Sequence, residues 1–149
     1  MTTLFFATDR QDEHLAMAHM MLGNSPFLTD AFAVAAYADE GSKRDLVAIA
    51  VFDGIRKDDA ALQIALRDGA ELPREVVDVI CNIAFSPERM GLQFIHAYSA
   101  VGDAGVLAGM IRAGFIVAGY SRSSLPGQGD RAILSINRRQ ALRRQDDAA

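Results

Sequence analysis

The run "AGVLAGMIRAGFIVAGYS", residues 104 to 121, changes its hydrophobic period with almost nothing in between. Up to Arg112 it reads as a helix, and from Phe115 it reads as an apolar strand. A helix can pass so directly into a strand only if the residue at the junction takes a left-handed backbone conformation, which glycine adopts without steric cost. Gly114 is therefore expected to be the left-handed cap of a short helix that runs straight into a strand. Gly102, Gly105 and Gly109 would let that helix lie close to a neighbouring backbone or ligand.

The rest of the chain supplies the elements around this junction. "TLFFA" at 3 to 7 reads as a strand. Asp9 is a candidate N-cap for a helix over 10 to 22, whose apolar face would hold Leu15, Ala18, Met21 and Leu22. Met17, Met20 and Met21 read as core filler in that helix. "AFAVAAYADE" and "DLVAIAVFDG" flank the connector "GSKR" and predict an antiparallel hairpin. The second run is apolar from Leu46 to Phe52, as in a strand covered on both faces. "AALQIAL" at 60 to 66 extends the hairpin to a meander. "PREVVDVICNIAF" then returns to helical spacing, with Val76, Val77, Ile80, Ile83 and Ala84 on one side and Pro73 at its first position. "LQFIHAY", the glycine-rich helix, "FIVAGYS" and "RAILSIN" complete the order β-α-β-β-β-α-β-α-β-β. That order predicts a mixed α/β sheet of the α+β type, not a repeated Rossmann unit.

Composition narrows the classes of function. The chain has 149 residues, half of them hydrophobic, which suits a single domain over 1–149 with a charged tail at 138–149. One cysteine, Cys81, cannot make an intramolecular disulfide, so the chain reads as reduced and cytoplasmic. "MTTLFFATDRQDE" turns acidic before an export signal could form, and no apolar run reaches the roughly 18 residues of a membrane span. A net charge of −4 argues against a nucleic-acid partner, and "NRRQALRR" is short and followed by "DDAA". His14 and His19 are five residues apart on a helix, off a common face, so no metal pair is expected. The apolar content admits a homodimer through the final strands.

Two places carry candidate chemistry. The loop "RDGAEL" precedes the helix at Pro73, and a helix start offers unpaired N–H groups to an anion. Arg67, Gly69 and Arg74 suit a diphosphate there, whereas Glu71 opposes one, and an ordinary turn explains the loop as well. On "LQFIHAY", alternation puts His96 and Tyr98 on one face, either as base and acid or as core-facing residues with satisfied hydrogen bonds. Asp53 beside Gly54 reads as a turn former or as a residue facing a cleft.

The element order, together with "VGDAGVLAGMIRAGFIVAGYSR" and its Gly114-Phe115 pair, resembles the GNAT acyltransferase superfamily over roughly residues 2 to 137. The proline-led helix and "GDRAILSI" are most similar to short GNAT-like proteins of phages and prophages. The resemblance implies acetyl-CoA as co-substrate, a small-molecule or protein amine as acceptor, and central strands that splay to admit the pantetheine. It implies that Ile64, Ala65 and Leu66 meet the pantetheine, that Arg67, Gly69, Ala70 and Arg74 meet the diphosphate, and that Asp103, in the place of the family's Asn, is a further cofactor-binding residue. Two departures stand out: the loop's glycine signature is incomplete, and Met110 replaces the tyrosine that many members use as an acid, which a thioether cannot do. A GNAT-like binding or assembly module without catalysis is the alternative that these departures raise.

Overall fold

A computed structural model describes residues 3–23, 30–100, 103–121 and 130–148. The chain runs β1 (Thr3–Ala7), α1 (Gln11–Met21), β2 (Phe32–Glu40), β3 (Lys43–Asp53), β4 (Asp59–Leu66), α2 (Arg74–Phe85), β5 (Phe94–Ala100), α3 (Ala104–Arg112), β6 (Ile116–Ser121), β7 (Arg131–Asn137) and α4 (Arg138–Ala148). The strands form one sheet in the order β1-β2-β3-β4-β5-β7-β6. Every neighbouring pair is antiparallel except β4 and β5, so the expected mixed sheet is present. Among the described residues no helix is long and apolar enough to cross a membrane.

Alternation along the strands divides the side chains between two faces. One face carries Val34, Ala50, Phe52, Leu62, Ile95, Leu134 and their neighbours, and it packs against Val76, Val77, Ile80 and Ala84 of α2 and Val106 and Met110 of α3. Among the described residues the other face is covered only in part. There Ala33, Ala35, Ile49, Val51 and Ala65 pack with Ala18 of α1. The methionines expected in this core lie outside it, and Met20 is 75% exposed. Ala18 and the alanines of the sheet make much of the contact instead, together with Ile49 and Val51 and the partly buried Leu15 and Leu22.

The entry to α1 differs from the expected Asp9 cap. Arg10 occupies the N-cap position in a left-handed conformation, φ 48°, without a capping side chain. Strain of this kind costs about 1–2 kcal/mol for a residue with a Cβ and persists only where neighbouring contacts fix it. Two side chains do so. Gln11 donates to the carbonyls of Thr8 and Ala33 and accepts from the Ala33 N–H, all at 2.8 Å, continuing the ladder after β1 ends at Ala7. His14, buried, shares hydrogen bonds with the Asp9 carbonyl at 2.9 Å and the Tyr37 hydroxyl at 2.7 Å. Asp53 is buried too, and its Oδ1 accepts the Gly54 N–H at 2.8 Å, the turn-forming role.

The expected charged tail is the helix α4. Asn137 and Gln140 explain it: the Asn137 N–H donates to Gln140 Oε1 at 2.9 Å, and the Gln140 N–H donates to Asn137 Oδ1 at 2.8 Å. This reciprocal pair is a capping box written in the sequence as "NRRQ". Ala141 is buried against the main core and anchors the first turn.

The junction at Gly114 closes as expected. Gly114 has φ 102°; its N–H reaches the Ile111 carbonyl and the Phe115 N–H reaches the Met110 carbonyl, each at 3.0 Å. Those two bonds make a Schellman motif, with Phe115 and Met110 both buried in the core beside it. The other glycines of α3 face the loop between β4 and α2. A Cβ on Gly105 would lie 2.9 Å from the Ala70 carbonyl oxygen, and one on Gly109 would lie 2.6 Å from the Leu72 Cβ. We expect Gly109→Ala to destabilise the fold by about 1–3 kcal/mol, lowering the Tm by roughly 3–10 °C. Gly119→Ala, with nothing within 4 Å of its Cβ position, should change the Tm by less than about 2 °C. Equal effects in a thermal melt would contradict the close packing of α3.

Candidate functional site

Among the described strands the sheet opens at the one parallel pair, β4 and β5. β4 and β5 pair from Asp59↔Phe94 to Leu62↔Ala97 and no further. Beyond that point β4 stays with β3 as far as Leu66, while β5 stays with β7 as far as Ala100↔Arg131. Residues 63–66 therefore turn an unpaired backbone edge toward the gap. Ile64 is buried in the helix-covered core, Ala65 in the core under α1, and Leu66 is half-buried.

Two clefts meet at this opening. One, of about 170 Å³, is walled by Met21, Leu22, Gln63, Ile64, Tyr98, Ser99, Asp103 and Arg131. The other, of about 590 Å³, shares Met21, Leu22 and Asp103 and continues along Ala65–Glu71 to Gly105. The loop there is a four-residue turn closed by the Ala70 N–H donating to the Arg67 carbonyl at 3.0 Å, with Gly69 at its third position and φ 73°. Arg67 is exposed and its N–H is tied to the Val47 carbonyl. Arg74 begins α2 after Pro73, which serves as the N-cap and makes no side-chain cap bond. It lines a third cleft of about 490 Å³ with Glu71 and Arg112. Glu71 lines both of these clefts, which are thus neighbours.

Asp103 stands at the N-cap of α3 without making a capping bond, at the junction of the splay and the loop cleft. Tyr98 is 37% exposed and forms part of the splay wall. His96 lies one pleat earlier on the same face, its side chain 42% exposed and its Nε2 3.7 Å from Asp59 Oδ2. Neither residue faces the core: among the described residues α1 packs chiefly on β2, β3 and β4, and His96 and Tyr98 stay partly exposed. Asp59 is held by Arg56, whose Nε and NH2 donate to its two oxygens at 2.8 and 2.7 Å. That hydrogen-bonded pairing, and then the carboxylate's charge, raise the pKa of the exposed Arg56 guanidinium above its ordinary value.

The structure thus gathers Tyr98, Asp103 and residues 64–70 around one opening, with Arg74 one cleft away. His96 sits beside that opening, outside the walls of its clefts. Met110 is fully buried and reaches none of these clefts. Sequence reasoning missed Gln63, Arg131, Arg112, Met21 and Leu22 as wall residues. Gln63 had a signal, as the one polar residue inside "AALQIAL"; the others arrive from distant segments.

No family model matches the chain, and no curated protein matches it. Solved structures do. Mutant forms of the spermidine/spermine N-acetyltransferase SpeG from Vibrio cholerae superpose with a TM-score of 0.72 at 15% identity, covering 95% of this chain and 99% of theirs. A further SpeG mutant from Vibrio cholerae gives 0.73 at 14% identity, over 95% and 98%. The dodecameric spermidine N-acetyltransferase from the same organism, in an intermediate state, gives 0.71 at 14% identity, over 95% and 97%. At such identity the likeness concerns the fold alone, and the fold of this chain is that of the GNAT N-acetyltransferases.

Proposed function

We propose that the chain transfers an acetyl group from acetyl-CoA to a small amine. The observation that carries this reading is the split between β4 and β5, which leaves the backbone edge of 63–66 unpaired beside a cleft that leads to the Arg67–Ala70 turn. An unpaired strand edge suits the amides of a pantetheine chain, and turn N–H groups with nearby guanidinium groups suit a diphosphate. Ile64, Ala65 and Leu66 would meet the pantetheine. Arg67, Gly69, Ala70 and Arg74 would meet the diphosphate, with Arg112 across the third cleft.

When bound, acetyl-CoA supplies a thioester whose C–S bond breaks as a C–N bond to the amine forms, the amine's proton passing to a base and the departing sulfur taking one up. The chain must remove the first proton and provide the second. Tyr98, in the splay wall, has a phenol that can donate. His96 has an imidazole that can accept, and its Nε2 lies 3.7 Å from Asp59 Oδ2. Met110 plays no part, since it lies in the core.

The other reading keeps the fold and drops the chemistry, as a binding or assembly module. The incomplete glycine signature of the loop favours it: Gly69 is that loop's only glycine. The likeness to phage and prophage proteins rests on the proline-led helix and "GDRAILSI", and self-association of this chain is likewise a proposal.

Thermal melting separates these ideas. Acetyl-CoA at about a hundred times its Kd should stabilise the protein by about 2.7 kcal/mol, a Tm rise of roughly 5–10 °C. Arg74→Ala and Gly69→Glu should each shrink that rise; no rise at millimolar acetyl-CoA would sink the enzyme reading. His96→Gln and Tyr98→Phe should leave the unliganded Tm within about 2 °C and lower kcat by about 10–1,000-fold. Cofactor binding with no transfer to any amine would instead support the module.

A further inference from the structure

The two edges of the sheet are built differently. Among the described strands β1 pairs with β2 on one side and with no strand on the other, and β6 is the opposite edge. Natural edge strands are guarded against further pairing by charged side chains, prolines or bulges. β6 carries such a guard, a register break between Val117 and Gly119. β1, "TLFFA", carries none. It has no charge and no proline, and its ladder with β2 runs unbroken from Thr3↔Asp39 to Ala7↔Ala35.

Among the described residues both faces beside this edge are incompletely covered. Leu4 and Phe6 lie on the face that α2 packs against and are only half-buried. Phe6 floors a cleft of about 560 Å³ between β1, β2 and α2, together with Val34, Val79 and Ile83. Its rim carries Glu75, Asp78 and Arg89, charges of both signs. On the other face Phe5 is 42% exposed, with the Arg44 guanidinium 4.1 Å from its ring centre. An unguarded edge with unfilled apolar ground on both faces fits one more apolar strand, whose backbone completes the ladder and whose alternate side chains fill the ground on either side.

We propose that this strand is β1 of a second copy, paired antiparallel about a two-fold axis at Phe5, and that the chain dimerises through its first strand and not through its final ones. The register follows from the alternation of faces. A two-fold axis normal to the sheet keeps both α1 layers on one side, so only residues of like parity can stand opposite each other. Setting Phe5 against Phe5 uses all five residues, with Thr3 opposite Ala7 and Leu4 opposite Phe6. On one face the two Phe5 rings make an aromatic cross-strand pair. On the other, Leu4 of the second copy sits beside Phe6 at the mouth of the apolar cleft. No like charges meet in the ladder, because the strand has none. The pairing consumes the unguarded edge of both copies, so assembly closes at two. β2 and β3 separate β1 from β4, so the opening of each copy stays free and the pairing does not depend on acetyl transfer.

A five-residue ladder flanked by two clefts is small for a specific interface, so sedimentation of the full chain should show one step from monomer to dimer with a Kd of about 1–100 μM. Phe5→Lys sets two ammonium groups against each other at the axis and should weaken association about tenfold or more, with the circular dichroism of the folded chain retained. Cysteine scanning reads the register directly and decides the matter should Phe5→Lys fail to fold. Phe5→Cys should give a disulfide-linked dimer under mild oxidation. Thr3→Cys should not, because the two Thr3 positions lie about 14 Å apart along the paired strands. Tyr120→Cys, exposed on β6, should also stay unlinked, and the native Cys81 is buried. A chain that stays monomeric up to about 300 μM, well above that Kd range, overturns the proposal, as does one that grows into open-ended assemblies. So does a dimer that ignores Phe5→Lys, or one that links through Tyr120→Cys or Thr3→Cys in preference to Phe5→Cys.

Discussion

β4 is claimed along its length by one neighbour and along half its length by the other, and the remaining architecture answers to that inequality. Its antiparallel ladder with β3 runs from Ala61 to Leu66, while its parallel ladder with β5 ends at Leu62. β5 is committed to β7 over seven residue pairs, and sheet twist carries the two partnerships apart. Unpaired backbone is costly in a dry interior, so a split of this kind persists only where water or a ligand can reach it. The clefts on either side of Asp103 provide that access.

Holding the split open takes rigid walls, and the two glycines of α3 supply one. Because Gly105 and Gly109 have no side chains, α3 lies against Ala70 and Leu72, and the loop after β4 is fixed between helix and strand. The Schellman motif at Gly114 then pins the far end of α3 through Phe115 and Met110. Met110 is fully buried, so its thioether is part of the packing that anchors this wall. The opposite wall is Met21 and Leu22, set by a helix whose strained start is secured by Gln11 and His14.

What could be read from the sequence was whatever depends on local period. The switch at Gly114, the apolar run Leu46–Phe52 and the buried face of α2 are all expressed within one element, and each matches its expected place. The α4 helix was missed because charge dominates "NRRQALRR"; the capping box it contains carries the information, and one buried alanine suffices to dock it. The face of His96 and Tyr98 could be derived by alternation, but whether that face is covered depends on how far α1 reaches across the sheet, a property of no single segment. Arg112 and Arg131 were illegible for the same reason, since their neighbours in space come from other elements.

Charge around the clefts bears on how an anionic ligand could be held at all. Arg67, Arg74 and Arg112 line them, but so do Asp68, Glu71 and Asp103, so the formal charges cancel. The whole chain is at −4. Long-range attraction is therefore weak, and charges in these open clefts are screened beyond a Debye length of about 8 Å in physiological salt. Discrimination must come from placement: Arg67 and the turn around Gly69 line one cleft, Arg74 lines the adjoining one, and Glu71 lines both. A ligand with its negative charge spread over several linked groups can satisfy these donors one after another while keeping clear of Glu71; a compact anion can reach only one of them at a time.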